Sequence, residues 1–244
     1  MLPLLIALQF LTRLPVRLPG PPAPERTGRS LLWYPAVGLL LGLLVATAQA
    51  LLDGGPALLQ AALLLALWVA LTGGLHLDGL ADSADAWAGG FGDRARTLAI
   101  MKDPRSGPFA VVVLVLVLLL KFAALVALLD AGRIGLLVLA PWVARLLLAL
   151  LLRCTPYVRP GGLGQALAEH LPRRALPGVL AAHGLGILLG FGLAGAWALL
   201  AGALVFFAWR RALMNRLGGT TGDTAGALVE LVECASLVAL ACLA

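Results

Sequence analysis

Residues 175–209 read ALPGVLAAHGLGILLGFGLAGAWALLAGALVFFAW, without one Asp, Glu, Lys or Arg. As one straight helix this run would be about 52 Å long, far beyond a hydrocarbon core of about 30 Å. Gly190, Gly192 and Gly195 supply a place to turn, so the stretch is expected to fold into a hairpin of two membrane spans. That hairpin decides the parity of the chain, and with it the side on which each end lies.

The rest of the sequence has the same character. Of 244 residues, 61% are hydrophobic and 12% charged, with a mean hydropathy of +0.99. Soluble domains run about 45–50% apolar and about 25% charged. Long Leu/Ala/Val runs without period-two alternation select helices over a barrel. The expected fold is all-α: a polytopic helical membrane protein forming one integral membrane catalytic domain over residues 1–244. Besides the hairpin, spans are expected at 31–52, 57–75, 108–129, 134–152 and 224–243, giving about seven of the length a bilayer requires. Residues 2–11 are apolar, but as helix they reach only about 15 Å, so an interfacial or re-entrant segment is expected there rather than a cleavable leader. The Pro/Gly-rich stretch up to Arg29 is expected to be loop.

Charge tests this layout. Of the 18 Lys and Arg, all but Lys121, Arg133 and Arg145 fall before the first span or in the polar stretches 86–107, 153–174 and 210–223. By the positive-inside rule those segments are cytoplasmic, as is the N-terminus, and the C-terminus lies outside. The net charge of +6 follows from this bias, so no nucleic-acid partner is expected. Cys154, Cys234 and Cys242 form no CxxC pair and offer neither a disulfide framework nor a zinc site.

The expected cytoplasmic face carries the chemistry. The apolar run 57–72 ends in Gly73-Gly74-Leu75-His76-Leu77-Asp78-Gly79-Leu80-Ala81-Asp82-Ser83-Ala84-Asp85. On a helix, Asp78, Asp82 and Asp85 share one stripe, and carboxylates that close repel unless a cation lies between them. Mg²⁺ suits such a stripe, because it binds through one or two carboxylates plus substrate phosphates. A second acidic group follows the turn Gly218-Gly219-Thr220-Thr221-Gly222: Asp223, then Glu230 one stripe along, then Glu233. Thr221 or Asp223 could instead simply cap a helix. Mid-span Lys121 and Arg145 either pair with these carboxylates or bind phosphate, and spacing does not decide between the two. His183 lies in an apolar span and His170 in a loop, where packing or surface roles are expected. Two carboxylate groups, cations and glycine turns on one membrane face suit a Mg²⁺-dependent enzyme acting on a phosphate or diphosphate ester with a bulky part.

These motifs resemble the cobalamin synthase family, the adenosylcobinamide-GDP ribazoletransferases. The resemblance runs through Phe10-Leu11-Thr12-Arg13-Leu14-Pro15-Val16, the 73–82 run, Met101-Lys102-Asp103-Pro104-Arg105-Ser106-Gly107, Lys121, Arg145, Tyr157-Val158-Arg159, Gly161-Gly162-Leu163-Gly164 and Leu217-Gly218-Gly219-Thr220-Thr221-Gly222-Asp223. Pro104 and Phe109-Ala110 depart from the family pattern. The resemblance implies a transferase of nucleotide-loop assembly in cobalamin biosynthesis, in a prokaryotic cytoplasmic (inner) membrane. Its partners would be adenosylcobinamide-GDP, α-ribazole or its 5′-phosphate, and the lipid bilayer. Its products would be GMP and adenosylcobalamin or its 5′-phosphate; Mg²⁺ is the implied cofactor. A homo-oligomer is compatible with it.

Both lines together assign Asp78, Asp82, Asp85, Asp223 and Glu230 to metal, and Lys102, Arg105, Lys121, Arg145, Tyr157, Arg159, Gly219 and Thr221 to substrate. Asp82 is expected to be catalytic, with Asp85 or His76 as the base that takes the 5′-hydroxyl proton. Two rivals stand beside this reading. A CDP-alcohol-type phosphotransferase also uses membrane-embedded Asp clusters, but this chain lacks that family's Ala-Arg after Asp-Gly. A cation or proton transporter would explain Lys121, Arg145, Glu230 and Glu233, but no inverted repeat accompanies them.

Overall fold

The computed structural model describes residues 1–52, 54–161 and 163–243. Asp53, from the expected turn after the first span, and Gly162, from the 161–164 glycine run, lie outside the described residues, as does Ala244. Among the described residues there are helices and turns and no strand, only an isolated bridge between Tyr157 and Thr220.

The short apolar segment forms α1 (Leu2–Leu11). The stretch expected to be loop up to Arg29 contains a helix, α2 (Pro24–Ser30), which runs through a 3-10 turn into α3 (Tyr34–Leu51). Pro24 is the reason: at a helix start its missing N–H costs nothing and its fixed φ is already helical, while Glu25 complements the first turn. α4 (Ala57–Thr72) is capped by Gly73, and α5 (Leu75–Gly89) begins two residues later. Gly73 and Gly74 take φ of 64° and 69°, the left-handed region that glycine enters without strain, and the axis turns by 88°. The polar stretches hold two further short helices, α6 (Arg94–Ile100), capped by Asp93, and α9 (Leu163–Glu169). Between these lie α7 (Pro108–Asp130) and α8 (Leu139–Cys154). The chain ends in α10 (Leu176–Leu217) and α11 (Gly222–Ala241).

α8 and α11 form the middle of the bundle and are largely buried, whereas α7 and α10 lie at its edge and turn Val111, Val115, Leu119, Leu193 and Leu204 outward. Small residues let α3 lie directly on α8. A Cβ on Gly38 would meet the Pro141 carbonyl oxygen at 2.4 Å, and one on Gly42, a turn later, the Val138 Cα at 2.7 Å. Lipid tails are as apolar as leucine, so close backbone approach of this kind, rather than hydrophobic burial, holds membrane helices together.

α10 is not straight. Gly192 takes φ 51°, ψ −125° inside it, and a Cβ on Gly195 would lie 2.5 Å from the Ile187 carbonyl oxygen. Residues eight apart on a straight helix are separated by about 12 Å, so the chain folds back here. The limb before Gly192 packs on α8, where Trp142 Nε1–H donates to His183 Nδ1 at 2.9 Å; the limb after it packs on α11, where the Ser236 hydroxyl donates to the Ala198 carbonyl at 3.5 Å. Among the described residues five helices are long and apolar enough to cross a membrane, or six with α4 and α5 taken as one broken span. Taking the limbs of α10 separately accounts for the difference from the seven expected.

Candidate active site

The turn at Gly73-Gly74 swings α5 across the start of α11. The crossing is close because both helices carry glycine there: a Cβ on Gly79 would lie 2.6 Å from the Asp223 carbonyl oxygen, and one on Gly226 would lie 3.4 Å from the His76 Cα. Gly79 is the residue after Asp78, so the approach that removes its side chain also brings Asp78 to Asp223. Asp82, the next turn of α5, is within electrostatic reach of Asp78, Asp223, Asp85 and Arg159.

The start of α11 is fixed by its glycine-threonine turn. Thr221 is the cap, accepting from the Thr224 N–H at 3.2 Å while its own N–H donates to the Thr224 hydroxyl at 2.8 Å. Capping therefore falls to Thr221, and the Asp223 side chain turns to Arg159, 2.5 Å away. Arg159 comes from the 155–160 loop, which lies along the turn: the Thr220 N–H donates to the Pro156 carbonyl at 2.8 Å and the Val158 N–H to the Thr220 carbonyl at 2.9 Å. Gly219 is required for this, since a Cβ there would sit 2.3 Å from the Pro156 oxygen. The loop is also tied to α10, where Arg210 donates to the Cys154 carbonyl at 2.8 Å.

Asp78, Asp223, Arg159 and Tyr157 form the polar end of a cavity of about 220 Å³, whose other walls are Phe10, Tyr34, Leu75, Leu148 and Leu152. On the far side of the 155–160 loop a second cavity of about 660 Å³ is lined by Arg153, Arg159 and Arg173. Tyr157 and Arg159 line both. Burial first, and then the Asp223 charge, raise the Tyr157 phenol above its ordinary value against the opposing pull of Arg159, so it remains a hydrogen-bond donor at neutral pH.

Several residues expected in the site are elsewhere. Asp85 accepts from the Gly107 N–H at 2.5 Å and the Ala110 N–H at 2.9 Å, so its two oxygens anchor the start of α7 and do not face the cavity. Glu230 is not beside Asp223 but deep in the bundle. There Lys121 Nζ donates to Glu230 at 2.8 Å and to Glu233 at 2.6 Å, and Arg145 pairs with the other Glu233 oxygen. All four side chains are buried, and the question left open for Lys121 and Arg145 resolves as pairing. His76 lines the cavity, but its Nδ1 faces Arg145 Nη2 at 3.5 Å. Arginine has no acceptor, so this nitrogen is the unprotonated one and its lone pair is directed at a cation, which argues against His76 as base. Lys102 is exposed. Arg105 is exposed and pairs with Asp103 at 2.6 Å, and this hydrogen bond lowers the Asp103 carboxyl to about 2. Gly219 and Thr221 are buried scaffold.

Among the described residues no three His, Cys, Asp or Glu side chains are gathered into a ready metal site. The donors that do share the cavity, Asp78 and Asp223, are hard carboxylate oxygens from two helices. Mg²⁺ takes one or two such ligands and completes its shell with water and substrate phosphate, so this donor set fits Mg²⁺ bound together with a substrate. Sequence reading missed Gly79 and Gly226 as the contact between the helices, and Phe10 and Tyr34 as cavity walls. The glycine between two aspartates was a usable signal for the first; nothing local marks the second.

The comparisons with known proteins agree with one another. The cobalamin-5-phosphate synthase family matches residues 3–241. An adenosylcobinamide-GDP ribazoletransferase of Ectopseudomonas mendocina is 71% identical, with 97% of each chain covered. Proteins of the same name from Pseudomonas aeruginosa and Pseudomonas putida are 70% and 64% identical, over 98% and 99% of this chain and 97% and 99% of theirs. No solved structure matches. With the match covering nearly every helix that builds the cavity, the chain belongs to the cobalamin-5-phosphate synthase family.

Proposed function

We propose that this membrane protein joins adenosylcobinamide-GDP to α-ribazole or its 5′-phosphate, releasing GMP and giving adenosylcobalamin or its 5′-phosphate. Family membership over residues 3–241 is the observation that carries this reading. The geometry supports it. In the reaction a free ribose hydroxyl of the acceptor attacks the phosphorus attached to cobinamide, the bond from that phosphorus to the GMP oxygen breaks, and the hydroxyl proton is lost. The 5′-oxygen expected from the sequence cannot be that nucleophile, because an acceptor that keeps its 5′-phosphate already has this oxygen esterified. Negative charge grows on the departing phosphate, and catalysis consists mainly of positioning and offsetting that charge.

Arg159 stands where it can do so, on the wall shared by the two cavities. Asp78 and Asp223, with Asp82 close by, would hold Mg²⁺, which when bound would neutralise diphosphate oxygens. Asp82 is also the carboxylate left to take the proton, since Asp85 anchors α7 and the His76 lone pair faces Arg145. Tyr157 lines the same wall, where its hydroxyl is available to donate to a substrate oxygen. The charges that hinted at transport neutralise one another inside the bundle. We assign the site to the cytoplasmic face of a prokaryotic inner membrane on the distribution of Lys and Arg, which puts it within reach of water-soluble nucleotides.

Membranes containing the protein, given adenosylcobinamide-GDP, α-ribazole and Mg²⁺, are expected to release GMP. Release is expected to stop when either substrate or the metal is withheld. Folded protein that releases no GMP under these conditions would refute the reading.

A further inference from the structure

The cavity beyond the 155–160 loop holds more than cations. At about 660 Å³ it lies within the range of about 300–1,000 Å³ that takes a drug-sized ligand, whereas the first cavity, at about 220 Å³, falls below it. Arg153, Arg159 and Arg173 line it, and so does one carboxylate, Glu169. Gln165, Ala168 and Glu169 share one face of α9, and that face walls the cavity. Glu169 is held in place: the Gly161 N–H donates to Gln165 Oε1 at 2.6 Å, which leaves Gln165 Nε2 to donate to Glu169 Oε1 at 2.7 Å. The helix beneath it is fixed at both ends. A Cβ on Gly164 would lie 2.5 Å from the Tyr157 ring, and the His170 carbonyl packs on Gly28 of α2. Glu169 is exposed, so its other oxygen is open to a ligand. Among the described residues neither Glu169 nor Arg153 nor Arg173 forms an ion pair, so carboxylate and cations share one cavity without neutralising each other.

We infer that this cavity seats the nucleoside diphosphate of the donor, with the arginines on its phosphates and Glu169 reading the guanine. The inference rests on the ribazoletransferase reading and adds what selects the base. Guanine presents two donors side by side on its pairing edge, N1–H and the 2-amino group. A carboxylate only accepts, with two oxygens and about four lone-pair sites, so it can take both while Oε1 keeps its bond to Gln165. Adenine places an acceptor where guanine has N1–H, and that lone pair would face a carboxylate oxygen. The wrong base then meets repulsion as well as a lost hydrogen bond. Arginine has no acceptor, so the three guanidinium groups suit phosphate and cannot read these donors. Arg159 and Tyr157 line both cavities. A nucleotide seated here with its phosphates at Arg159 therefore brings the reacting phosphorus to the wall beyond which Asp78 and Asp223 lie.

The test is Glu169→Gln, with KM and kcat measured by nucleotide release for adenosylcobinamide-GDP, for its ADP counterpart and for α-ribazole. Glutamine offers one donor and one acceptor, the complement of adenine. The ratio of kcat/KM for the GDP donor to that for the ADP donor should fall at least about tenfold, through a higher KM for the GDP donor. KM for α-ribazole should not follow it. Glu169→Ala should lose the same discrimination by weakening the GDP donor alone. An unchanged ratio, equal losses with both donors, or a rise in KM for α-ribazole instead would overturn the inference. If neither variant accumulates in the membrane, the wild type still decides. It should use the IDP donor, which lacks the 2-amino group, about threefold to tenfold less well than the GDP donor; equal use would overturn the inference. A wild type that releases no GMP from the GDP donor would instead overturn the transferase reading beneath it.

Discussion

Gly79 has no side chain, yet it decides whether Asp78 and Asp223 can face one cavity. A Cβ there would press on the Asp223 backbone at 2.6 Å, and backbone cannot swing aside. Gly79→Val should push α5 off α11, and a displacement on the order of 1 Å at reacting groups costs about 100-fold in rate. GMP release per mole of membrane-inserted protein should therefore fall by about that factor; activity within a fewfold of wild type would show that the crossing does not set the site. The same residue explains what the sequence could and could not disclose. Aspartates at 78, 82 and 85 stand out in a chain with so few charges, so a polar site was legible. Their division of labour was not, because Asp85 is taken by N–H groups twenty-two and twenty-five residues downstream. Phe10 belongs to the 10–16 run and Tyr34 to no motif, yet neither was assigned to the site, because a cavity wall assembled from distant residues leaves no periodic trace.

Among the elements, α7, α8 and α11 are joined by a buried charge group of Lys121, Arg145, Glu230 and Glu233. Two cations and two carboxylates balance, and Lys121 also lies 4.9 Å from the centre of the Trp68 ring. Glu233 touches both cations, so Glu233→Gln leaves Arg145 without its carboxylate in a dry interior. Breaking a buried pair from one side costs about 3–5 kcal/mol. The purified protein in detergent should show a correspondingly lower thermal midpoint, partly restored when Arg145→Met is added; an unchanged midpoint would mean that water reaches the group. The spans themselves were legible because long Leu/Val/Ala runs leave few alternatives. The helices α2 and α9 were not, since seven residues in a polar, proline-rich stretch carry too few apolar positions to show a period. Beyond the Pro24 start, the two helices support each other by contact: a Cβ on Gly28 of α2 would overlap the His170 carbonyl that follows α9.

For the molecule as a whole, the fold-back at Gly192 divides α10 into two limbs. Its glycine-rich apolar run disclosed it in advance, because no membrane is thick enough for the straight alternative. One polar end of the bundle collects the starts of α3, α7 and α11 and the end of α8, and the cavity lies among them. A reporter active only outside the cytoplasm, fused to the C-terminus, is expected to be active, and one fused in the 94–105 segment silent. A silent C-terminal fusion beside a correctly inserted chain would contradict the hairpin as two crossings.

The buried charge group also bears on how the protein is made. Lys121 and Arg145 leave the ribosome long before Glu230 and Glu233, so for most of synthesis two helices hold cations with no counter-charge. The helix that neutralises them, α11, is also the one that carries Asp223. Settling of the interior and completion of the candidate cavity thus both wait for the last helix. A chain interrupted before α11 would lack both Asp223 and the two glutamates that balance Lys121 and Arg145.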